Sequence, residues 1–521
     1  MKSRTFVLFG IASPILGQLS KVSITRLCWA VLMMAAMAFV STSAAAAEPS
    51  TGPVVRVDSR AITRLYGQTA EKMEGAVASQ KYLPENMIIR WVGQASMTWQ
   101  VRTSEPGDYE VALCYGAIAA AEGAKFEIAS SDSRIKGTVH KTSGMYEEGP
   151  SSEETPIDKD YVQNYERVRL QGVLHLPAGV STITIRVTEP ESGDVMDLRS
   201  MELTPVAAKA TIAAAEERAR KSRASTDWFV EAQYGVMFHW EPNSQPRHGP
   251  KKPYAEAVRD FDANAFADMV ADTGAGYVIF TLNHGHSQWP APIESWEKIH
   301  AGWTTERDLV GDIADALDKR RIKLMLYIAS HCVVEDALSC DSISSGEEAI
   351  DVHVRTLKEM GSRYGRKLAG YWFDGWDIIP QVSPDAPTPF ERLFNATKTG
   401  NPERIISSNY WLFPDATGWQ EYWAGEIDGP LKPATGRYIE YSAGEGLQLH
   451  ALIMLEDIWV HRKPNSEMPS PTFTEQELID FVRDITDKQG VVTMNLGIYQ
   501  DGTIGDESLK RMQALRRAIR K

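Results

Sequence analysis

Cysteine is scarce in this chain of 521 residues, with 4 in all. Cys28 falls in a leader segment, which leaves Cys114, Cys332 and Cys340. No CxxC pair occurs, so a thiolate zinc centre is not expected. Cys332 and Cys340 are near enough in sequence to close a short disulfide in an oxidising compartment, or to remain free thiols. A glycine-rich GxGxxG opening a βα unit, a GxxxxGKS or GxxxxGKT phosphate loop, a GxSxG elbow and an HExxH helix are all missing. Their absence disfavours nucleotide chemistry, serine hydrolysis and zinc proteolysis. Positive charge is also in deficit: 55 Lys+Arg stand against 69 Asp+Glu, for a net charge of −14. Nucleic acid and anionic membrane surfaces are therefore poor partners. No sequence repeat of short fixed period is visible.

Long apolar runs are lacking except at the start. Lys2, Arg4, Lys21 and Arg26 flank "LCWAVLMMAAMAFV" (27–40), and "STSAAAAE" (41–48) offers a small-residue cleavage site near Ala47. This reads as a secretory signal peptide over 1–47, so a periplasmic or secreted protein with no membrane attachment after cleavage is expected. Those residues hold four cations and no acid, so the remainder carries a net charge of about −18.

What is present divides into two textures. Residues 48–206 read as β. "MTWQVRTSEPGDYEVALCYG" (97–116) and "VLHLPAGVSTITIRVTE" (173–189) each place alternating runs around a Pro/Gly turn, which predicts two hairpins and a β-sandwich. Trp91, Trp99 and Tyr109 are either ligand platforms or core residues there. The acidic loop 145–160 reads as solvated, with calcium binding as the alternative. Residues 207–226, rich in Ala, Glu, Arg and Lys, predict a helical linker.

From 227 to 521 strand and helix patterns alternate. Strands are expected at 234–240, 276–284, 322–331, 368–375, 404–411 and 491–498, and helices at 262–275, 307–321, 346–363, 474–490 and 506–520. The segment 412–460 has no clear assignment. Near-continuous apolar strands between amphipathic helices predict a parallel sheet covered by helices, in an α/β, (β/α)8-like (TIM) barrel preceded by the β-sandwich.

Such a barrel carries its site at the C-terminal strand ends. There the sequence places His239, Trp240 and Glu241, then Asn283, His284, His286 and Trp289, then His331, then Asp374 and Trp376, then Asn409, Tyr410 and Trp411, and finally Asn495. Aromatic rings beside carboxylates and imidazoles suit a sugar site, since rings cover the apolar sugar face and polar groups take the hydroxyls. His284, His286 and Asp374 as metal ligands form a competing reading. Asp377 reads as a turn cap.

Five collinear segments carry a family resemblance: "DWFVEAQYGVMFHW" (227–240), "FDANAFADMVADTGAGYVIFTLNH" (261–284), "RDLVGDIADALDKRRIKLMLYIA" (307–329), "YWFDGW" (371–376) and "LIDFVRDITDKQGVVTMNLGIYQDGTI" (478–504). Together they resemble the α-L-fucosidases of glycoside hydrolase family 29. The resemblance implies a retaining exo-glycosidase with no metal or cofactor, acting on a terminal α-L-fucose of a glycan or oligosaccharide. It implies that Asp374 is the nucleophile, that His239 and His284 bind sugar hydroxyls, and that Trp289 lines the pocket. The acid/base is implied at Glu426 in "YWAGEIDG" (422–429), with Glu421 and Glu440 as alternatives. His286, Trp240, Trp372, Trp376 and Asn409 complete the expected sugar-binding set.

Three departures stand out. The family's K-H-H-D-G-F is replaced by Asn283-His284-Gly285-His286-Ser287-Gln288-Trp289, its H-W-G by His239-Trp240-Glu241, and its C-terminal β-sandwich by a β-region ahead of the barrel. The β-region resembles a carbohydrate-binding module. Two other functions compete: a related glycosidase for a different terminal sugar, and a glycan-binding protein without catalysis. No motif speaks to oligomeric state.

Overall fold

A computed structural model describes residues 53–78, 89–142, 165–191, 193–410, 415–427 and 446–520. The leader, the 145–160 loop, Trp411 and Glu440 lie outside the described residues. No helix among the described residues is long and apolar enough to cross a membrane.

The first part is an eleven-stranded sheet around one apolar core. Its long strands are Ile89–Thr103, Gly107–Gly116, Gly179–Glu189 and Asp194–Pro205. The expected hairpins do not form. Thr103 pairs with Gly179, and Gly107 with Leu176, so both segments turn the same corner side by side. Strand Asp194–Pro205 pairs with both Ile89–Thr103 and Gly107–Gly116. A tight hairpin needs left-handed backbone at its turn, and Gly107 does not have it. Trp91, Trp99 and Tyr109 are fully buried in this core, so they are packing residues and not ligand platforms. The linker forms helix Lys209–Ser222, seated on the second part by Ala219 and by Arg223, which donates to the Gly418 carbonyl at 2.8 Å.

The second part is an eight-stranded sheet: β1 (Tyr234–Phe238), β2 (Tyr277–Asn283), β3 (Lys323–Ala329), β4 (Leu368–Asp374), β5 (Ile405–Asn409), β6 (Glu426–Ile427), β7 (His450–Met454) and β8 (Val491–Asn495). All pairings are parallel, in the order β5-β4-β3-β2-β1-β8-β7-β6. That is the order of a (β/α)8 barrel opened between β5 and β6. Across this seam the Ile406 carbonyl accepts from Glu421 N at 2.9 Å. The unassigned segment 412–460 supplies β6 and β7. The helices form where expected. Ala263–Thr273 starts at the Asp262 cap and stops at left-handed Gly274, and Glu475–Asp487 starts with a Thr474/Glu477 capping box.

Strand alternation creates two cores. Outward residues such as Val236, Phe238, Phe280, Leu326, Phe373 and Ile406 pack under the helices. Inward residues such as Met237, Tyr277, Met325, Tyr327, Trp372 and Leu452 fill the interior. The inward row continues at the C-terminal ends to His239, Asp374, Asn409 and Asn495, because successive side chains alternate faces.

Candidate active site

The centre of the site is a pair of carboxylates joined by one amide. Asp374 ends β4, is half-buried, and pairs in register with Ala329 and Asn409. Asn409 Nδ2 donates to Asp374 Oδ1 at 3.3 Å and to Glu426 Oε2 at 2.6 Å. One nitrogen touching both holds these oxygens no more than about 6 Å apart, a limit that admits the roughly 5–5.5 Å of retaining glycosidases and falls short of the roughly 6.5–9.5 Å of inverting ones. Glu426 is also half-buried. The other Asp374 oxygen accepts from the Tyr327 hydroxyl at 2.8 Å. Burial, followed by the Asp374 charge, drives the Tyr327 pKa well above its ordinary value, so the phenol stays a donor.

Gly375 follows with φ +77, a conformation suited to glycine. A Cβ there would lie 2.2 Å from His331 Nδ1, so the nucleophile strand can turn away here only without a side chain. His331 itself belongs to helix Ser330–Leu338, not to β3.

His239 is buried, and desolvation, with His284 next in effect, drives its pKa well below the ordinary value, so the ring is neutral. Its tautomer follows from Asn495. The Asn495 amide nitrogen donates to the Ile458 carbonyl at 2.9 Å, which turns Oδ1 toward His239 Nδ1, 2.9 Å away. His239 therefore carries its proton on Nδ1 and keeps Nε2 as an acceptor. Its ring lies against His284, Tyr327 and Trp459, with centroids 5.0, 4.7 and 5.1 Å away.

His284 Nδ1 lies 3.2 Å from Glu241 Oε2. The Glu241 side chain is 1% exposed and is also held by Arg462 at 3.3 Å. Glu241, which replaces the glycine of the family pattern, thus becomes the partner that orients His284. Trp459 is half-buried, and with His284, Arg462 and Lys463 it lines a cleft of 720 Å³.

Several expected residues are elsewhere. Trp240, Trp289 and Trp376 are fully buried in the outer core, on the helix-facing side of the sheet. Trp240 follows His239 by one residue, and one residue reverses the face. Trp372 is inward but sits beneath the site, stacked on Tyr327 at 5.3 Å. His286 is largely exposed and pairs with Asp336 at 3.6 Å, apart from the His239–His284 contact. The aromatic wall falls to Trp459 instead. The imidazoles do not converge on Asp374 as ligands: among the described residues no group of three His, Cys, Asp or Glu could hold a metal ion. Cys332 and Cys340 are free thiols.

Glu421 is excluded as the acid/base by its own contacts. Its Oε1 accepts from Ala224 N at 3.0 Å and pairs with Lys398 at 2.5 Å, and Oε2 accepts from Ile406 N at 2.8 Å. Asp377 is no turn cap. It is buried and paired with Arg199 of the first sheet at 2.5 Å.

Tyr327, Trp459 and the role of Glu241 were not among the expected site residues, and Asn495 was expected at the rim without a role. Tyr327 was accessible in principle: it shares the inward alternation of "KLMLYIA" with Met325. Trp459 comes from a loop with no pattern.

A parallel eight-stranded α/β sheet with paired carboxylates at its C-terminal rim describes a glycoside hydrolase architecture. The family model "Alpha-L-fucosidase" matches residues 251–518, just over half of the chain, and the chain belongs to that family. Tissue alpha-L-fucosidase of Bos taurus is 31% identical over 139 residues, 20% of this chain and 29% of that protein. Plasma alpha-L-fucosidase of Pongo abelii is 22% identical over 329 residues, 55% of this chain and 66% of that protein. The chain thus spans less than a third of the length of the first of these relatives. A solved alpha-L-fucosidase from Bacteroides thetaiotaomicron is 17% identical, with a TM-score of 0.42, over 57% of this chain and 74% of that one.

Proposed function

We propose that this protein is a retaining exo-glycosidase that releases terminal α-L-fucose from glycans. The observation that carries the reading is the Asn409 amide, which touches both Asp374 and Glu426. In the first step an Asp374 oxygen attacks the anomeric carbon. The bond to the leaving oxygen breaks, and Glu426 gives that oxygen its proton. In the second step Glu426 takes a proton from water, the water attacks the same carbon, and Asp374 is released. Tyr327 and Asn409 aim Asp374 through neutral hydrogen bonds. His239 accepts a sugar hydroxyl at Nε2, and Trp459 covers an apolar sugar face.

Residues 1–47 fit a signal that sends the enzyme to the periplasm or the medium, where glycan substrates are met. A second reading, a different terminal sugar, is favoured by the buried Glu241 beside His284, since that pair alters a hydroxyl-binding position.

The test is hydrolysis of 4-nitrophenyl α-L-fucoside. Wild-type turnover, loss in Asp374→Ala and recovery with azide would support the reading. A wild type active only on another aryl glycoside would move it to that sugar. A wild type silent on aryl glycosides and natural fucosyl-oligosaccharides would overturn it.

A further inference from the structure

Three arginines of the first sheet reach the two loops that carry the candidate catalytic carboxylates. Arg199 lies on strand Asp194–Pro205, and its side chain is 2% exposed. Its Nη2 donates to Asp377 Oδ2 at 2.5 Å, and its guanidinium sits 4.7 Å from the Tyr66 ring centre. Asp377 comes three residues after Asp374, in a turn where Ile378 N donates to the Gly375 carbonyl. The same loop is held again by Arg56 N, which donates to the Pro384 carbonyl at 3.2 Å.

The other loop leads into Glu426. Arg64 Nη2 donates to the Ala416 carbonyl at 3.0 Å, and Arg167 Nη2 to the Asp415 carbonyl at 2.7 Å. Both guanidiniums also pair with the buried Glu202, each at 2.9 Å. Tyr410, the neighbour of Asn409, is buried, and burial followed by the Asp377 charge pushes its pKa well above the ordinary value. The grip thus touches the nucleophile loop and the approach to the acid/base.

Buried ion pairs add little net stability, but their directional bonds define geometry. Geometry is what this reaction needs, because small misplacements of the reacting groups lower the rate steeply. We propose that Arg199 is a positioning residue for Asp374, and that Arg199, Arg64 and Arg167 make the N-terminal sheet a part of the active-site scaffold and not a separable glycan-binding module. This rests on the assignment of Asp374 and Glu426 given above.

The test is the double variant Arg199→Met/Asp377→Asn in the full-length protein, assayed on whichever aryl glycoside the wild type cleaves. Both charges go together, so neither is left buried alone. Expected is a fall in kcat of about 10- to 100-fold with KM changed less than about threefold, at an unchanged active fraction by active-site titration. Arg199→Lys, which keeps the charge but loses the planar fork, is expected to fall between wild type and the double variant. A kcat within about twofold of wild type in the folded double variant overturns the proposal while the functional reading stands. A wild type without glycosidase activity overturns the functional reading, and the proposal falls with it. If the double variant does not fold, Arg167→Gln reads the same grip where the side chain is 28% exposed. A loss in kcat at constant KM there supports the proposal, and wild-type kcat overturns it.

Discussion

Each of the two loops at the rim carries two carboxylates that meet opposite fates. Asp374 and Glu426 are half-buried and share the neutral amide of Asn409. Asp377 and Glu421, three and five residues away in sequence, are almost fully buried, and each is paired with a cation, Arg199 and Lys398. Burial pushes both of the latter up in pKa, while the facing cation opposes it. A carboxylate locked to a cation is a poor nucleophile and a poor proton shuttle. Asp374 is held instead by the neutral donors of Tyr327 and Asn409. On the proposed function, the Asp374 loop separates chemistry from anchoring within three residues.

The comparison breaks most visibly at Asp374. Asp374→Ala should lower kcat at least about 10³-fold, with azide restoring turnover to a product of opposite anomeric configuration by nuclear magnetic resonance. Glu426→Gln should cost about 10²- to 10⁴-fold in kcat with a stability change below about 1 kcal/mol. Glu421→Gln should do the reverse: it strands Lys398, so denaturant unfolding should show a loss of about 3–5 kcal/mol, while kcat per folded molecule stays near wild type. Equal behaviour of the two Glu variants would dissolve the distinction. Tyr327→Phe removes one hydrogen bond to a charged oxygen and should slow kcat about 10- to 100-fold.

A third kind of acid sharpens the comparison through stability alone. Glu456, just beyond β7, is buried and accepts from Gly497 N at 3.0 Å, and burial pushes its pKa from 4.5 up to about 7. The folded state then holds a proton that the unfolded state has lost between about pH 4.5 and 7, so this group makes stability fall as pH rises through that window. Glu456→Gln should remove the slope. Its gain in unfolding free energy should be up to about 3 kcal/mol at pH 8 and small at pH 5.

Much of the second sheet was legible because its strands are continuous apolar runs between capped amphipathic helices. The site was legible as a rim of strand ends, with Asp374, His239, His284 and Asn409 at the right level. Trp240 and Trp376 instead face the outer core, Trp372 lies beneath the rim, and His331 belongs to a helix. β6 is only two residues long and offers no pattern, which is why 412–460 resisted assignment. The hairpins failed for a related reason, since local turn residues do not reveal which distant strand will slip between two neighbours. Trp459 and the Glu241–His284 contact depend on tertiary approach, with no local signature.

The arginine contacts also bear on how the chain is made. Arg199, Arg167 and Arg64 precede the groups they hold by 178, 248 and 352 residues. During synthesis the first sheet leaves the ribosome well before the loops it will seat, and early segments tend to fold first. On that order the rim would be assembled against a template already in place. A nascent chain that lost its first sheet would be expected to complete its barrel strands yet mature without a working site.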